Sequence, residues 1–294
     1  MHNNHREDGI NKDLNFNYPD RESYLKLTKD FKSKLDPIQV CEHEGVEVVR
    51  EDLSLPGGTK TRAAEYYFST LKKDVVVYVA PRYGLAGAAI IELCRLYNKE
   101  VVFFMPACRE ISDHQAYLLD KKPLGVKFKR IAAMPNLNRA AYDYAIHNEY
   151  EFISFGLNHP LVTAGFVKIC DDYMKKFGEP DTIYTAVSTG VLTRGLQIGF
   201  PNADFYGVCV ARNMKWGELG RAKAISEPLA FHSKEKTSVP PFDTVVNYDA
   251  KVWKYIPKDS QKRIMFWNVG KDVKLPKNFD KSKINSWREW DDIY

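Results

Sequence analysis

The sequence has no long apolar run, no paired cysteines and no block of like charges. No stretch approaches the ~20 apolar residues needed to cross a bilayer, and the N-terminal residues are polar from the start. We therefore expect neither membrane insertion nor secretion. The five cysteines are scattered, without a partner at metal-ligand spacing, so we expect reduced, buried thiols in a cytoplasmic protein and no metal site.

The composition is that of an ordinary folded protein. Hydrophobic residues make up 44% of the 294 residues and charged residues 28%, which is too apolar for extended disorder. The net charge of +5 is spread over 43 basic and 38 acidic residues. A nucleic-acid partner is therefore not favoured, although weak attraction to polyanions stays open.

From about residue 74 the sequence alternates short runs rich in Val, Ile and Phe with longer amphipathic stretches, which is typical of βαβ units. This pattern predicts parallel sheets with helices on both faces, and a ligand site at the carboxyl ends of the strands. Strands are predicted at 74–80, 101–106, 126–133, 151–157, 181–187, 204–211 and 263–269. Helices are predicted at 85–98, 113–122, 136–148, 161–178 and 191–200.

The segment "AVSTGVLTRGL" (186–196) has the form of a strand, a turn of small residues and a helix. Small side chains expose backbone N–H groups, and a helix N-terminus favours an anion such as phosphate. Ser188, Thr189 and Gly190 are the natural cradle, although a tight turn without a ligand explains the pattern equally well. It is not a P-loop, because Leu196 stands where that motif has lysine.

The string "PGGTK" puts two glycines before Lys60, with a helix-forming run behind it. The glycines would let a flat ring lie against the main chain, and the lysine would bond to it. A lysine that forms an imine with a phosphate-bearing aldehyde also needs a phosphate cradle and a partner for the ring nitrogen. A solvated lysine at a helix start is the alternative.

Several segments, taken in order, resemble the fold-type II pyridoxal-phosphate (PLP) enzymes, the tryptophan synthase β-like group. "VVREDLSLPGGTKTRAAEYYF" (48–68) is similar to the lysine segment of the aminocyclopropane-carboxylate deaminase and D-cysteine desulfhydrase branch. "FGLNHPLVTAGFV" is similar to the entry helix of that branch, and "TAVSTGVLTRGL" to its phosphate loop. "NYDAKVW" is similar to its Tyr-Glu-Gly-Lys segment and "IMFWNVG" to its terminal strand.

The resemblance implies a role for each matched residue. Lys60 would hold PLP as an aldimine and act as the catalytic base once substrate releases it. Asp249 would meet the pyridine nitrogen, and Tyr248 would be a catalytic or ring-facing hydroxyl. For these last two, a helix cap and a core aromatic are the alternatives. The cofactor phosphate would be bound by Ser188, Thr189, Gly190, Val191 and Leu192.

The sequence also departs from that branch. Pro81 and Arg82 replace the serine and asparagine of the turn after the first strand of the run, and proline lacks both a hydroxyl and a backbone N–H. Arg82 would contact the cofactor ring or clamp a substrate carboxylate, with Tyr83 and His159 as further substrate-binding residues. Val191 and Leu192 thin the phosphate loop, and Val269 replaces a threonine. These changes argue against the aminocyclopropane-carboxylate reaction itself.

The resemblance implies two open, mostly parallel sheets. Residues 1–22 are expected to form a flexible arm, 23–62 with 160–294 a large cofactor-binding domain, and 63–159 a small inserted domain. The implied function is a PLP-dependent lyase or deaminase acting at the α-carbon of an amino acid or amine, in a cytoplasmic homodimer. Two alternatives stay open: an enzyme for an amino group carried on a modified nucleotide or nucleic acid, and a non-catalytic ligand-binding homologue.

Overall fold

The computed structural model describes residues 20–130, 134–214 and 218–284. Residues 1–19 of the expected arm lie outside this part of the chain. The last two residues of the expected arm, Arg21 and Glu22, begin helix α1 (Arg21–Leu27). Asp20 caps this helix, because its side chain accepts the backbone N–H of Ser23 at 2.8 Å. Arg21 also forms a 2.7 Å ion pair with Asp171, which ties this helix to the body of the protein.

A six-stranded sheet forms the larger half of the molecule, in the order β1-β2-β10-β7-β8-β9. Four of its five pairings are parallel, and only β1 with β2 is antiparallel. The central strands β7 and β10 are buried along their whole length because helices or loops cover both faces. Its strands are β1 (Val40–His43), β2 (Val46–Arg50), β7 (Thr182–Val187), β8 (Asp204–Cys209), β9 (Lys223–Ser226) and β10 (Ile264–Asn268).

A second, four-stranded sheet is wholly parallel, in the order β5-β4-β3-β6. All of its strands come from one continuous part of the chain, within the 63–159 range predicted for an inserted domain. The domain limits themselves stay a prediction. Its strands are β3 (Val75–Val79), β4 (Glu100–Pro106), β5 (Gly125–Lys129) and β6 (Glu151–Ile153).

Helices cover both sheets, and two of them, Thr59–Thr70 and Pro160–Phe177, pack closely against each other. Gly165 makes this approach possible, since a Cβ atom there would collide with the carbonyl oxygen of Ala63. After α1, the helices are α2 (Thr59–Thr70), α3 (Ala86–Leu96), α4 (Asp113–Asp120), α5 (Met134–His147), α6 (Pro160–Phe177) and α7 (Val191–Gly199). None of the helices in the described ranges is long and apolar enough to cross a membrane.

The predicted α/β class and its two largely parallel sheets are confirmed, and a strand or helix lies at each predicted place. The predicted strand at 151–157 is too long: it ends at Ile153, and Phe155–Leu157 forms a 3₁₀ helix. The predicted strand at 126–133 ends at Lys129, and residues 131–133 lie outside the described part of the chain. Strands β1, β2 and β9 were not predicted, because they are short and β1 and β9 lie at sheet edges with little burial. Cys94, Cys170 and Cys209 are buried as expected, whereas Cys41 is exposed on edge strand β1, so that expectation is wrong there.

Candidate active site

A cavity of about 200 Å³ lies at the carboxyl ends of β3 and β7, where the two sheets meet. This is where parallel sheets place their ligands, because strand-to-helix turns and helix N-termini converge there. The start of α2, the turn after β3, the turn after β7 and the segment before the 3₁₀ helix Asp249–Tyr255 all contribute to its wall.

Lys60 lies in the first turn of α2, which is held against the end of β10. The backbone N–H of Thr59 donates to the carbonyl oxygen of Val269 at 2.9 Å, and its hydroxyl accepts the indole N–H of Trp267 at 2.9 Å. Gly57 and Gly58 are required by this packing: both have positive φ, and a Cβ atom on Gly58 would collide with Val269. Gly57 also lines the cavity, so the expectation that a flat ring lies against this stretch of main chain stays a prediction.

The ammonium group of Lys60 reaches into the cavity, where it donates a 3.2 Å hydrogen bond to the carbonyl oxygen of Gly156. Removal from bulk water disfavours its charged form and lowers its pKa to about 8. A lysine in this state has a larger neutral fraction near neutral pH than a solvated lysine, and the neutral amine is the form that acts as a nucleophile or a base.

The predicted phosphate turn lies on the same cavity. Ser188, Thr189, Gly190, Val191 and Leu192 all line it together with Lys60. Gly190 adopts a left-handed conformation, with φ of 77°, as the N-cap of α7. The first N–H groups of this helix have no acceptor within the helix, and the end of the helix carries a partial positive charge, so an anion is well accommodated there.

Tyr248 lines the cavity, whereas Asp249, the next residue, is fully buried and is not among the residues that line it. The hydroxyl of Tyr248 donates to the carbonyl oxygen of Ala186 at 3.3 Å. Asp249 Oδ2 accepts the N–H of Val269 at 3.0 Å, whereas Oδ1 has no hydrogen-bond partner among the described residues. Burial raises the pKa of Asp249 well above its ordinary value, and Asp272 and Asp52 raise it further.

The three residues predicted to bind substrate are in different places. Tyr83 lines the cavity. Arg82 is exposed outside the lining and donates to the carbonyl oxygen of Glu110 at 3.2 Å. His159 is the buried N-cap of α6: its Nδ1 accepts the N–H of Leu161 at 3.2 Å, its ring stacks on Tyr67 at 4.1 Å, and burial lowers its pKa to about 4. A direct substrate role for Arg82 or His159 stays a prediction without a supporting contact.

Sequence reasoning missed several polar residues of the cavity, among them His114 and Asn247. His114 is in the first turn of α4, which follows the carboxyl end of β4, so the rule that sites form at such turns was the available signal. Asn247 precedes Tyr248 in a segment without regular periodicity and gave no signal.

The fold of this chain has counterparts among solved structures. It is similar to an aminocyclopropane-carboxylate (ACC) deaminase homologue, at a TM-score of 0.68 and 17% sequence identity, covering 84% of this chain and 94% of that one. It is also similar to maize serine racemase (TM-score 0.66, 12% identity, 87% and 94% covered) and to threonine deaminase isoform 2 from Solanum lycopersicum (0.64, 14%, 86% and 90%). These likenesses show the fold: the chain has the architecture of these proteins, which is the fold that its sequence resemblance implied.

The two comparisons by sequence found no match. No protein-family model matches the chain, and no curated protein matches it. The likeness to these solved structures is therefore one of fold.

Proposed function

We propose that this protein is a PLP-dependent enzyme that acts at the α-carbon of an amino acid or amine, with elimination or deamination as its reaction. The observation that carries the proposal is that Lys60 and the turn 188–192 line one cavity, as binding an aldehyde and a phosphate on one small molecule requires. The solved structures support it, since one neighbour is described as a PLP-dependent aspartate racemase and others as deaminases or an ammonia lyase.

The residues at the cavity fit the cofactor. The turn before α7 offers helix N-terminal N–H groups to a phosphate, and Lys60 offers a largely buried amine to an aldehyde. Asp249 has one buried oxygen without a hydrogen-bond partner among the described residues, and a protonated pyridine nitrogen would satisfy it. Val191 and Leu192 do not prevent this arrangement, because backbone groups supply the donors.

In this proposal each residue has a defined task. When bound, PLP withdraws electrons from the α-carbon of the amino compound. Lys60 would hold the cofactor through its amine and, once released by substrate, would accept the α-proton at Nζ, for which its lowered pKa suits it. Asp249 would face the pyridine nitrogen and keep it protonated, Tyr248 presents its ring to the cavity, and the apolar walls would exclude water from the reacting atoms.

Absorbance and peptide mapping test the proposal. The purified protein, supplied with PLP, should show a visible absorption band, and borohydride reduction should fix the cofactor to the peptide that contains Lys60. Lys60→Ala should lose both signals, whereas Lys168→Ala, which removes a surface lysine paired with Asp172, should keep both. A protein that takes up no PLP would instead support the alternative of a non-catalytic homologue.

A further inference from the structure

The cavity has few charged groups. Among the described residues that line it, only Lys60 carries an ammonium, guanidinium or carboxylate group. Much of the rest of the wall is apolar, with Leu85, Phe155, Leu157, Val162, Phe231 and Val269 as examples. The proposed function commits Lys60 to the reacting carbon, so this lysine is not available to pair with a remote charge on the substrate.

Arg82 belongs to the turn after β3 that lines the cavity, but it does not add a positive charge to the cavity wall. Its guanidinium is exposed outside the lining, where it donates to the carbonyl oxygen of Glu110 and lies 5.7 Å from the ring centre of Tyr83. Its own carbonyl oxygen accepts a hydrogen bond from the hydroxyl of Ser112, which fixes the turn. A substrate with a charged side chain would therefore leave that charge without a partner in a mostly apolar space.

His114 is one of several uncharged polar residues that line the cavity, with Thr59 and Asn247 among the others. Its Nε2 is buried and has no hydrogen-bond partner among the described residues, and its ring meets Tyr83 edge to face at 6.3 Å. Burial lowers the pKa of His114, which favours the neutral imidazole, although Asp272 and Asp113 act in the opposite direction. A neutral imidazole either donates or accepts one hydrogen bond at Nε2.

We propose that the substrate is an amino compound whose side chain is apolar and uncharged apart from a single hydrogen-bonding group, which pairs with Nε2 of His114. This inference rests on the proposed function and names the substrate class of that site. It assigns to His114 a role in specificity and none in the chemistry at the α-carbon.

Substrate class is tested by titrating the PLP-loaded protein with both enantiomers of leucine, methionine, phenylalanine, tyrosine, glutamine, aspartate and glutamate. Binding is followed by the change in visible absorbance and, independently of turnover, by the rise in thermal midpoint. The uncharged members should reach half-saturation at concentrations at least about tenfold lower than aspartate and glutamate, since an unpaired charge in an apolar space costs at least that much. Tighter binding of the acidic pair, or no response to any member by a protein that carries the absorption band, would overturn the inference and leave the proposed function standing. Absence of the band would overturn both.

The role of His114 is tested by His114→Leu in the same assay. Whichever of tyrosine and glutamine binds the parent protein more tightly should lose at least about fivefold in affinity, because its hydrogen bond is lost. Its apolar counterpart, phenylalanine for tyrosine or methionine for glutamine, should change less than about twofold. His147→Leu, which alters an exposed histidine at the end of α5, is the control and should change neither. Equal losses for both members of the pair, or no loss for either, would show that His114 does not select the substrate.

Discussion

Asp249 and Val269 are joined by a 3.0 Å hydrogen bond from the backbone N–H of Val269 to the buried carboxylate. The carbonyl oxygen of the same Val269 accepts the N–H of Thr59, the residue before Lys60. One residue at the end of β10 thus fixes both the carboxylate and the helix start that carries the lysine. Their separation is set by rigid elements, as a site for a planar cofactor requires.

The buried amine of Lys60 should make the stability of the cofactor-free protein depend on pH. Its pKa is about 8 in the folded chain and about 10.4 in an unfolded one, so the unfolded chain binds more protons between these values. The free energy of unfolding should therefore rise with pH across this window. Lys60→Met should lack this rise, which amounts to at most about 3 kcal/mol because water in the cavity screens the charge.

Urea denaturation of both proteins between about pH 7.5 and about pH 10.5, a window that spans the two pKa values, measures the difference. Lys258, whose pKa burial also lowers to about 8, is present in both and cancels. Parallel curves for the two proteins would show that the Lys60 amine is ordinarily solvated.

Asp249→Asn should have opposite effects on the free and the cofactor-bound protein. The raised pKa of Asp249 means that its ionisation opposes folding increasingly as the pH rises above the carboxyl's unfolded value of about 3.9. The neutral amide can still accept the N–H of Val269, so the cofactor-free variant should be more stable at neutral pH, by on the order of 1 kcal/mol.

The same variant cannot form a charged hydrogen bond to a protonated pyridine nitrogen, so its affinity for PLP should fall at least about tenfold. Thermal denaturation and fluorescence titration with PLP measure the two effects. Asp259→Asn, at an exposed position, is the control and should change neither. An unchanged affinity would exclude Asp249 as the partner of the ring.

Gly58→Ala should disturb the start of α2. Its φ of 51° strains any residue with a side chain, and the added methyl group would collide with the Val269 carbonyl oxygen. We expect a loss of about 3 kcal/mol in the free energy of unfolding, from backbone strain and overpacking together.

Gly125→Ala is the matched control for this substitution. A Cβ atom there meets only Val102, at 3.6 Å, and its φ lies outside the left-handed region. Chemical denaturation should leave Gly125→Ala within about 1 kcal/mol of the parent protein. Equal stability of the two variants would contradict the packing described for Gly58.

Lys251→Met should destabilise the segment that leads to the site. The fully buried ammonium group of Lys251 lies within 3.5 Å of the carbonyl oxygens of Leu229, Ala230 and Phe231, and is closest to Ala230 at 2.8 Å. A thioether cannot donate to these oxygens, so we expect a loss of about 3 kcal/mol, measured by urea denaturation.

Lys223→Met removes an exposed lysine from edge strand β9 and should cost less than about 0.5 kcal/mol. If the two methionine variants unfold at the same urea concentration, the buried lysine does not hold this segment.

Much of the site was predictable because it is built from local patterns. A buried strand, a turn of small residues and a helix predict the turn at 188–192, and parallel strands place such turns at one edge. The packing that requires glycine at positions 57 and 58 was not predictable. A Cβ atom on Gly57 would meet Ala89 and one on Gly58 would meet Val269, and both neighbours are far away in sequence. The position of the Arg82 side chain outside the cavity was not predictable either, because it is bound to the carbonyl oxygen of Glu110, which is distant in sequence.

The sequence by itself determined the alternating helices and strands and the local conformation around Lys60 and Gly190, because periodicity and turn chemistry act over a few residues. Only the tertiary structure decided that Lys60 and the turn at 188–192 share a cavity, that His114 enters it and that Arg82 does not. Which residues share the cavity depends on how the two sheets pack against each other. Packing is a sum over contacts between distant residues, and no local pattern records it.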